Sequence, residues 1–229
     1  AAWERHVRGQ ALRAIHRGDP PLTDDGPGPR STHTYFDISQ AAGVPPDLRR
    51  RAQELAAEWH WLAAARNPDR IPVARAAAQS LLRNGASDPP GCLWRRAGLD
   101  LWERRFRDAD AVLSRLVTEW PGTPEGVRAR EWLAILGIGL EGEARSVGFL
   151  ADAERLVLAR DYSGAGARLR AVALSGPDAL LTDFAWYRLG KFFDENLHLR
   201  ARASEAFEQC RPDRLPAGLA KEVLHDLAR

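Results

Sequence analysis

The chain has 229 residues, 45% of them hydrophobic, enough to bury a sizeable core in one elongated domain or two small ones. Its 33 basic and 31 acidic residues leave a formal net charge of +2, which excludes a strong global field towards nucleic acid or anionic lipid, and no run approaches the roughly 20 apolar residues that span a bilayer. Of the basic residues only Lys191 and Lys221 are lysine, a bias spread over the whole chain that marks composition and not a binding site.

In chain order, Trp3, Val7, Ala11 and Ile15 at four-residue spacing predict a helix stopped by Gly18-Asp19-Pro20-Pro21. A Pro/Gly/Asp-rich linker follows to Pro29, and residues 34–38 are the one stretch with strand-like chemistry, so residues 1–46 read as an N-terminal helix and linker. Leu48, Ala52, Leu55, Trp59 and Leu62 then line one face of a helix ended by Asn67-Pro68. Val73, Ala77 and Leu81 line the next, ended by Asn84-Gly85, which makes residues 47–90 a helical pair. Beyond Pro89-Pro90 the patterning predicts helices at 91–105, 108–119, 124–138, 143–160, 163–174, 178–195, 200–211 and 216–228. Connections this short force antiparallel neighbours, so the expected fold is all-α.

Few motifs carry chemistry. Gly137-Ile138-Gly139-Leu140-Glu141-Gly142 has the G-x-G-x-x-G spacing of a dinucleotide site, with Asp161 placed to take a ribose hydroxyl, but that reading requires flanking strands where helix is expected. The six histidines are scattered without H-x3-H or H-E-x2-H spacing, so no metal site is expected, and no G-x-S-x-G nucleophile signature occurs. No catalytic residue and no cofactor are expected. In Trp59-His60-Trp61, Trp59 falls on the apolar stripe and Trp61 is the more exposed candidate for stacking. Cys92 and Cys210 fit either one disulfide, if the chain is exported, or two small buried side chains. The absence of methionine fits a processed or trimmed chain, which permits a cleaved export signal.

Three of the later helix pairs share a pattern. Trp94-x2-Ala97-Gly98-x2-Leu101 precedes Ala109-x3-Leu113 and Pro121; Phe149, Ala153 and Leu156 precede Ala165-x3-Leu169 and Pro177; Trp186-x2-Leu189-Gly190-x2-Phe193 precedes Ala203-x3-Phe207 and Pro216. This resembles the tetratricopeptide signature W-x2-L-G-x2-Y, A-x3-F, P over about residues 91–216, although the copies start 55 and 37 residues apart because an additional helix begins at Thr123-Pro124-Glu125. The resemblance implies stacked antiparallel pairs forming an α-solenoid over residues 91–229, closed by a C-terminal capping helix. Small residues Gly98, Ala153 and Gly190 would sit where the helices of each pair cross, facing Ala109, Ala165 and Ala203. It also implies a non-enzymatic scaffold for a protein or peptide partner, as a possible subunit of a larger complex, with Arg95, Leu99, Trp102, Tyr187, Lys191 and Asp194 on the concave surface. Trp102 is expected to be at least partly exposed there. The stretch Leu116 to Pro124 is similar to helix junctions of bacterial cell-envelope members, which implies a periplasmic or envelope location, with the cytoplasm as the alternative. Two other functions remain open: the helical superhelix domain of a larger enzyme such as a peptidoglycan lytic transglycosylase, and a nucleotide-binding oxidoreductase built on residues 132–161.

Overall fold

In the computed structural model the described residues are 44–227 apart from 87 and 177. The expected N-terminal helix, the linker and strand-like segment before residue 44, and the repeat-ending Pro177 lie outside them. The chain divides into two compact units, residues 1–95 and 96–229.

In the first unit, α1 (Pro46–Arg66) carries proline at its start, Asp47 in its first turn and Arg66 in its last, an order that suits the helix dipole. It ends where the pattern requires, at Asn67-Pro68, with the Asn67 side chain accepting from the Asp69 amide at 3.1 Å. Helix α2 (Ile71–Asn84) packs back on α1 and stops at Gly85, whose φ of 78° only glycine adopts freely. Its buried stripe is Ile71, Ala74, Ala78 and Leu81, one position round from the expected one, and Val73 is 52% exposed. A strict four-residue spacing drifts off a 3.6-residue helix, which is why Val73 leaves the interface while Leu81 stays in it. Trp59 and Trp61 are both half-buried. Arg70 stacks over Trp59 at 5.5 Å, and the Trp61 indole nitrogen is shielded from solvent.

The second unit starts within α3 (Pro89–Trp102) and continues through α4 (Phe106–Glu119), α5 (Pro124–Ile138), α6 (Ala144–Leu158), α7 (Tyr162–Ser175), α8 (Ala179–Lys191), α9 (Arg200–Gln209) and α10 (Ala217–Leu227). The chain is all-α, with no strand among the described residues, and helices pack in succession: α4 on α5, α6 on α7, α7 on α8, α8 on α9 and α9 on α10. Trp132, Phe184, Leu113, Leu116, Ile135, Leu136 and Leu150 form the bulk of its core. Three helix starts are capped by a side chain, the first of them at the expected Thr123-Pro124. Thr123 accepts from the Gly126 amide at 3.1 Å, Asp161 from Gly164 at 2.9 Å, and Asp178 from Leu180 and Leu181 at 2.8 and 3.0 Å.

The G-x-G-x-x-G stretch has no strand beside it. Gly137 lies in the last turn of α5, and Gly139–Glu143 is a π-helical turn leading into α6. Its glycines serve packing: a β-carbon on Gly139 would stand 2.8 Å from the Val147 side chain, and Gly142 has φ 145° at the kink. Asp161, the ribose ligand of the dinucleotide alternative, caps α7.

One turn occurs three times. Arg104, Arg160 and His198 have φ of 62°, 60° and 55°, the left-handed conformation that ends a helix. After the first two, Arg105 N donates to Asp100 O (2.8 Å) and Asp161 N to Leu156 O (2.9 Å), the six-residue closure of a Schellman turn. After the third, Leu199 N donates to Phe193 O (2.8 Å), one residue wider. In each case the alanine five places beyond the left-handed residue, Ala109, Ala165 or Ala203, opens the next helix with an amide bond of 3.0 Å to residue 105, 161 or 199. From Gly98, Ala153 and Gly190 to these alanines the spacing grows from 11 to 12 to 13 residues. The π-helical turn Phe192–Asn196 absorbs the longest of these.

Candidate functional site

The densest polar arrangement among the described residues runs along α8, where charged side chains of four helices converge over an aromatic floor. Tyr187 stands between Phe184 and Phe207, with ring centroids at 6.4 and 6.3 Å, and its hydroxyl donates to Glu222 Oε2 of α10. One turn further, Lys191 Nζ reaches Asp226 Oδ2 of α10 at 3.5 Å and Glu195 Oε1 at 2.9 Å. Between them Arg188 donates to Glu154 Oε1 of α6, and Trp132 Nε1 of α5 donates to that same oxygen at 3.2 Å. Glu131, next to Trp132 on α5, is half-buried with its carboxyl in the field of Arg188, Glu222 and Glu154.

The electrostatics follow from this crowding. Burial pushes the Glu131 carboxyl up to about 7; Arg188 opposes the rise, and the carboxylates of Glu222 and Glu154 add to it. Burial raises the Tyr187 phenol as well, reinforced by its bond to Glu222. For Lys191 burial works against the ammonium, but the bond to Glu195 and the charges of Glu195 and Asp226 outweigh it, and its pKa stands above the ordinary value. The seam can therefore exchange a proton near neutrality, and it ties α5, α6, α8 and α10 through groups far apart in sequence.

Of the expected partner-binding residues, Tyr187 and Lys191 are brought together, both against α10. Tyr187 is 2% exposed, because α10 covers the side of α8 that a bare helix pair would leave open. Leu99 is 0% exposed and Trp102 9%, so the expected exposure of Trp102 is corrected. Leu99, Asp100, Leu101 and Trp102 are four consecutive buried residues, and the last turn of α3 has no solvent side for Trp102 to occupy. Arg95 falls in the first unit, half-buried beside Cys92. Asp194 is half-buried in the π-helical turn after α8. Glu131, Trp132, Glu154, Arg188 and Glu222 were not singled out by their spacing. Their positions range over 91 residues and no local pattern joins them.

Three further features bear on function. Cys92 and Cys210 are free and buried; the Cys210 thiol donates to Asp183 O at 3.3 Å and is pushed up to about 12 by burial, as a packed and unreactive side chain should be. Among the described residues no group of three or more His, Cys, Asp and Glu side chains is placed to hold a metal ion, and no helix is long and apolar enough to cross a membrane. On the α6/α7 side, Arg104 donates to Gly148 O and to Asp152 Oδ2 (2.7 Å), while Arg168 lies over the Phe149 ring at 4.7 Å.

Set against known proteins, the chain matches no family model, no curated protein and no solved structure.

Proposed function

We propose that this chain is a tetratricopeptide-like, non-enzymatic scaffold that holds a protein or peptide partner along the face of its second unit to which α6, α8 and α10 contribute. The observation that supports this reading is the turn repeated at Arg104, Arg160 and His198, each followed five residues later by the small residue of the repeat pattern. A helix end recurring at matched positions is what a stack of like hairpins would show. The proposed contact residues are Lys191 and Asp194, both partly exposed in the second unit, whereas Leu99, Trp102 and Tyr187 are buried packing. A periplasmic or envelope location belongs to the proposal on the likeness of residues 116–124 alone.

The test is site-specific photo-cross-linking in the source cells. A photoreactive residue at position 194 is expected to capture a defined protein, and one at Arg107, exposed on α4, is not. Equal capture from both positions, or none from position 194, overturns the reading.

A further inference from the structure

Three arginines from different elements of the second unit gather around one aromatic side chain of α6. Arg104, in the left-handed turn after α3, donates to Gly148 O and, at 2.7 Å, to Asp152 Oδ2, both on α6. Gly148 makes room for it, since a β-carbon there would stand 2.5 Å from the Arg104 guanidinium. Arg145 on α6 and Arg168 on α7 hold their guanidiniums 5.4 and 4.7 Å from the centre of the Phe149 ring. Among the described residues Asp152 is the one carboxylate within ion-pair distance of any of the three. Its close bond is to Arg104; Arg168 stands 4.0 Å away, and Arg145 has no carboxylate in reach. Two planar cations are thus held by a ring instead of by an acid. Stacking engages the face of a guanidinium and leaves its N–H edge for another partner.

We propose that this cluster docks an acidic segment of a protein partner, with Arg145 and Arg168 each taking a side-chain carboxylate at its N–H edge. Arg104 contributes by engaging Asp152, which is thereby kept from neutralising Arg168. Charge complementarity selects the occupant: three cations face one acid here, in a chain whose formal net charge is only +2. That near-neutral balance disfavours nucleic acid or an anionic lipid surface, which draw on a field spread over a whole face. Arg104, Arg145 and Arg168 are all exposed, so a small free anion would remain hydrated beside them. A segment carrying several carboxylates gains from each contact once the first is made. Planar guanidiniums already stacked on a ring lose little freedom on pairing with a carboxylate, which favours the bidentate contact that arginine makes and lysine does not. The inference rests on the scaffold reading for the nature of its occupant, a protein segment, and uses none of the residues assigned there.

Fluorescence anisotropy of the full chain with a short labelled oligo-glutamate peptide, at about 50 mM salt where exposed charges are weakly screened, tests this surface. Binding is expected, with an oligo-glutamine peptide of equal length left unbound. Arg145→Gln with Arg168→Gln is expected to weaken binding at least about 10-fold. Arg200→Gln with Arg202→Gln, the same loss of charge at exposed positions of α9, is expected to change it less than about twofold. Arg145→Lys with Arg168→Lys keeps the charge without the planar fork and is expected to weaken it several-fold. No binding by the native chain, equal weakening by the α9 pair, or full binding by the lysine pair overturns the proposal. So does displacement of the peptide by an equal concentration of inorganic phosphate, or preference of the chain for phosphatidylserine vesicles over the peptide. Should the glutamine pair fail to fold by circular dichroism, the arginine Nε–Hε resonances of the native chain decide. Shifts concentrated at Arg145 and Arg168 on adding the peptide support the surface, and shifts spread evenly over the exposed arginines overturn it. Cross-linking at position 194 judges the scaffold reading by itself: capture there without peptide binding strikes the arginine surface alone, and peptide binding without capture strikes only the face assigned to Lys191 and Asp194.

Discussion

Hairpins α6/α7 and α8/α9 are joined by the same kind of turn and differ where their helices meet. In α6/α7 the matched positions carry Ala153 and Ala165, both buried. In α8/α9 Gly190 lies so close to Phe207 that a β-carbon there would stand 2.4 Å from the ring, and the ring in turn packs against Tyr187. The comparison teaches that two hairpins can bring their helices together in different ways: buried alanines at the matched positions in one, and a glycine under an aromatic ring in the other. It also locates the vulnerable half of the second unit, because the aromatic floor that needs the glycine is the one on which the polar seam is built.

The largest way to break the comparison is Tyr187→Ala, which removes a buried ring from the α8/α9 side. A loss of about 3 to 5 kcal/mol in urea unfolding is expected, where a surface hot spot would leave stability unchanged. Next comes pH. Because the folded carboxyl of Glu131 titrates above its unfolded value, stability should decline as pH rises from about 4.5 to about 7, by at most about 3 kcal/mol, and Glu131→Gln should remove this decline. A flat stability profile of the native chain across that window would sink it. Gly190→Ala forces the Phe207 ring to move and should cost about 1 to 3 kcal/mol; in the background of Phe207→Ala the same substitution should cost clearly less, and strict additivity would show that the two residues do not share the site. Asp178→Ala, which frees the amides of Leu180 and Leu181 at the start of α8, should cost about 1 kcal/mol. Smallest is Gly166→Ala on α7. Its β-carbon would meet the Phe192 ring at 3.4 Å, close to ordinary contact, so the gain in helix propensity should leave the protein as stable as before or up to about 1 kcal/mol more so. A marked loss there would mean that α7 and α8 approach more closely than their glycine and ring allow.

Sequence reasoning succeeded where the cause is local. Asn67-Pro68, Asn84-Gly85 and Thr123-Pro124 mark helix ends through chemistry that acts over two to four residues, so those boundaries were readable, as were the buried alanines of the repeat pattern. The all-α class follows from the same marks repeated along the chain. Trp102 and Tyr187 were misplaced because the tetratricopeptide resemblance assigns a side chain to a face of its own helix but does not say how many neighbours that helix has; α3 is buried all round at its last turn, and α8 lies under α10. Likewise Gly137, Gly139 and Gly142 offer the spacing of a phosphate loop, and only the course of α5 into α6 makes them a helix kink.

By itself, then, the order of residues determined where helices begin and end, which of their positions are small, and that they return on one another through short turns. Tertiary structure alone decided the seam. Glu131, Glu154, Arg188 and Glu222 are unremarkable charges on four different helices, and a carboxyl acquires a pKa near 7 only from what surrounds it. Capping and turn energies are exhausted within one turn of backbone, whereas burial and charge coupling depend on distances in space that no sequence interval encodes.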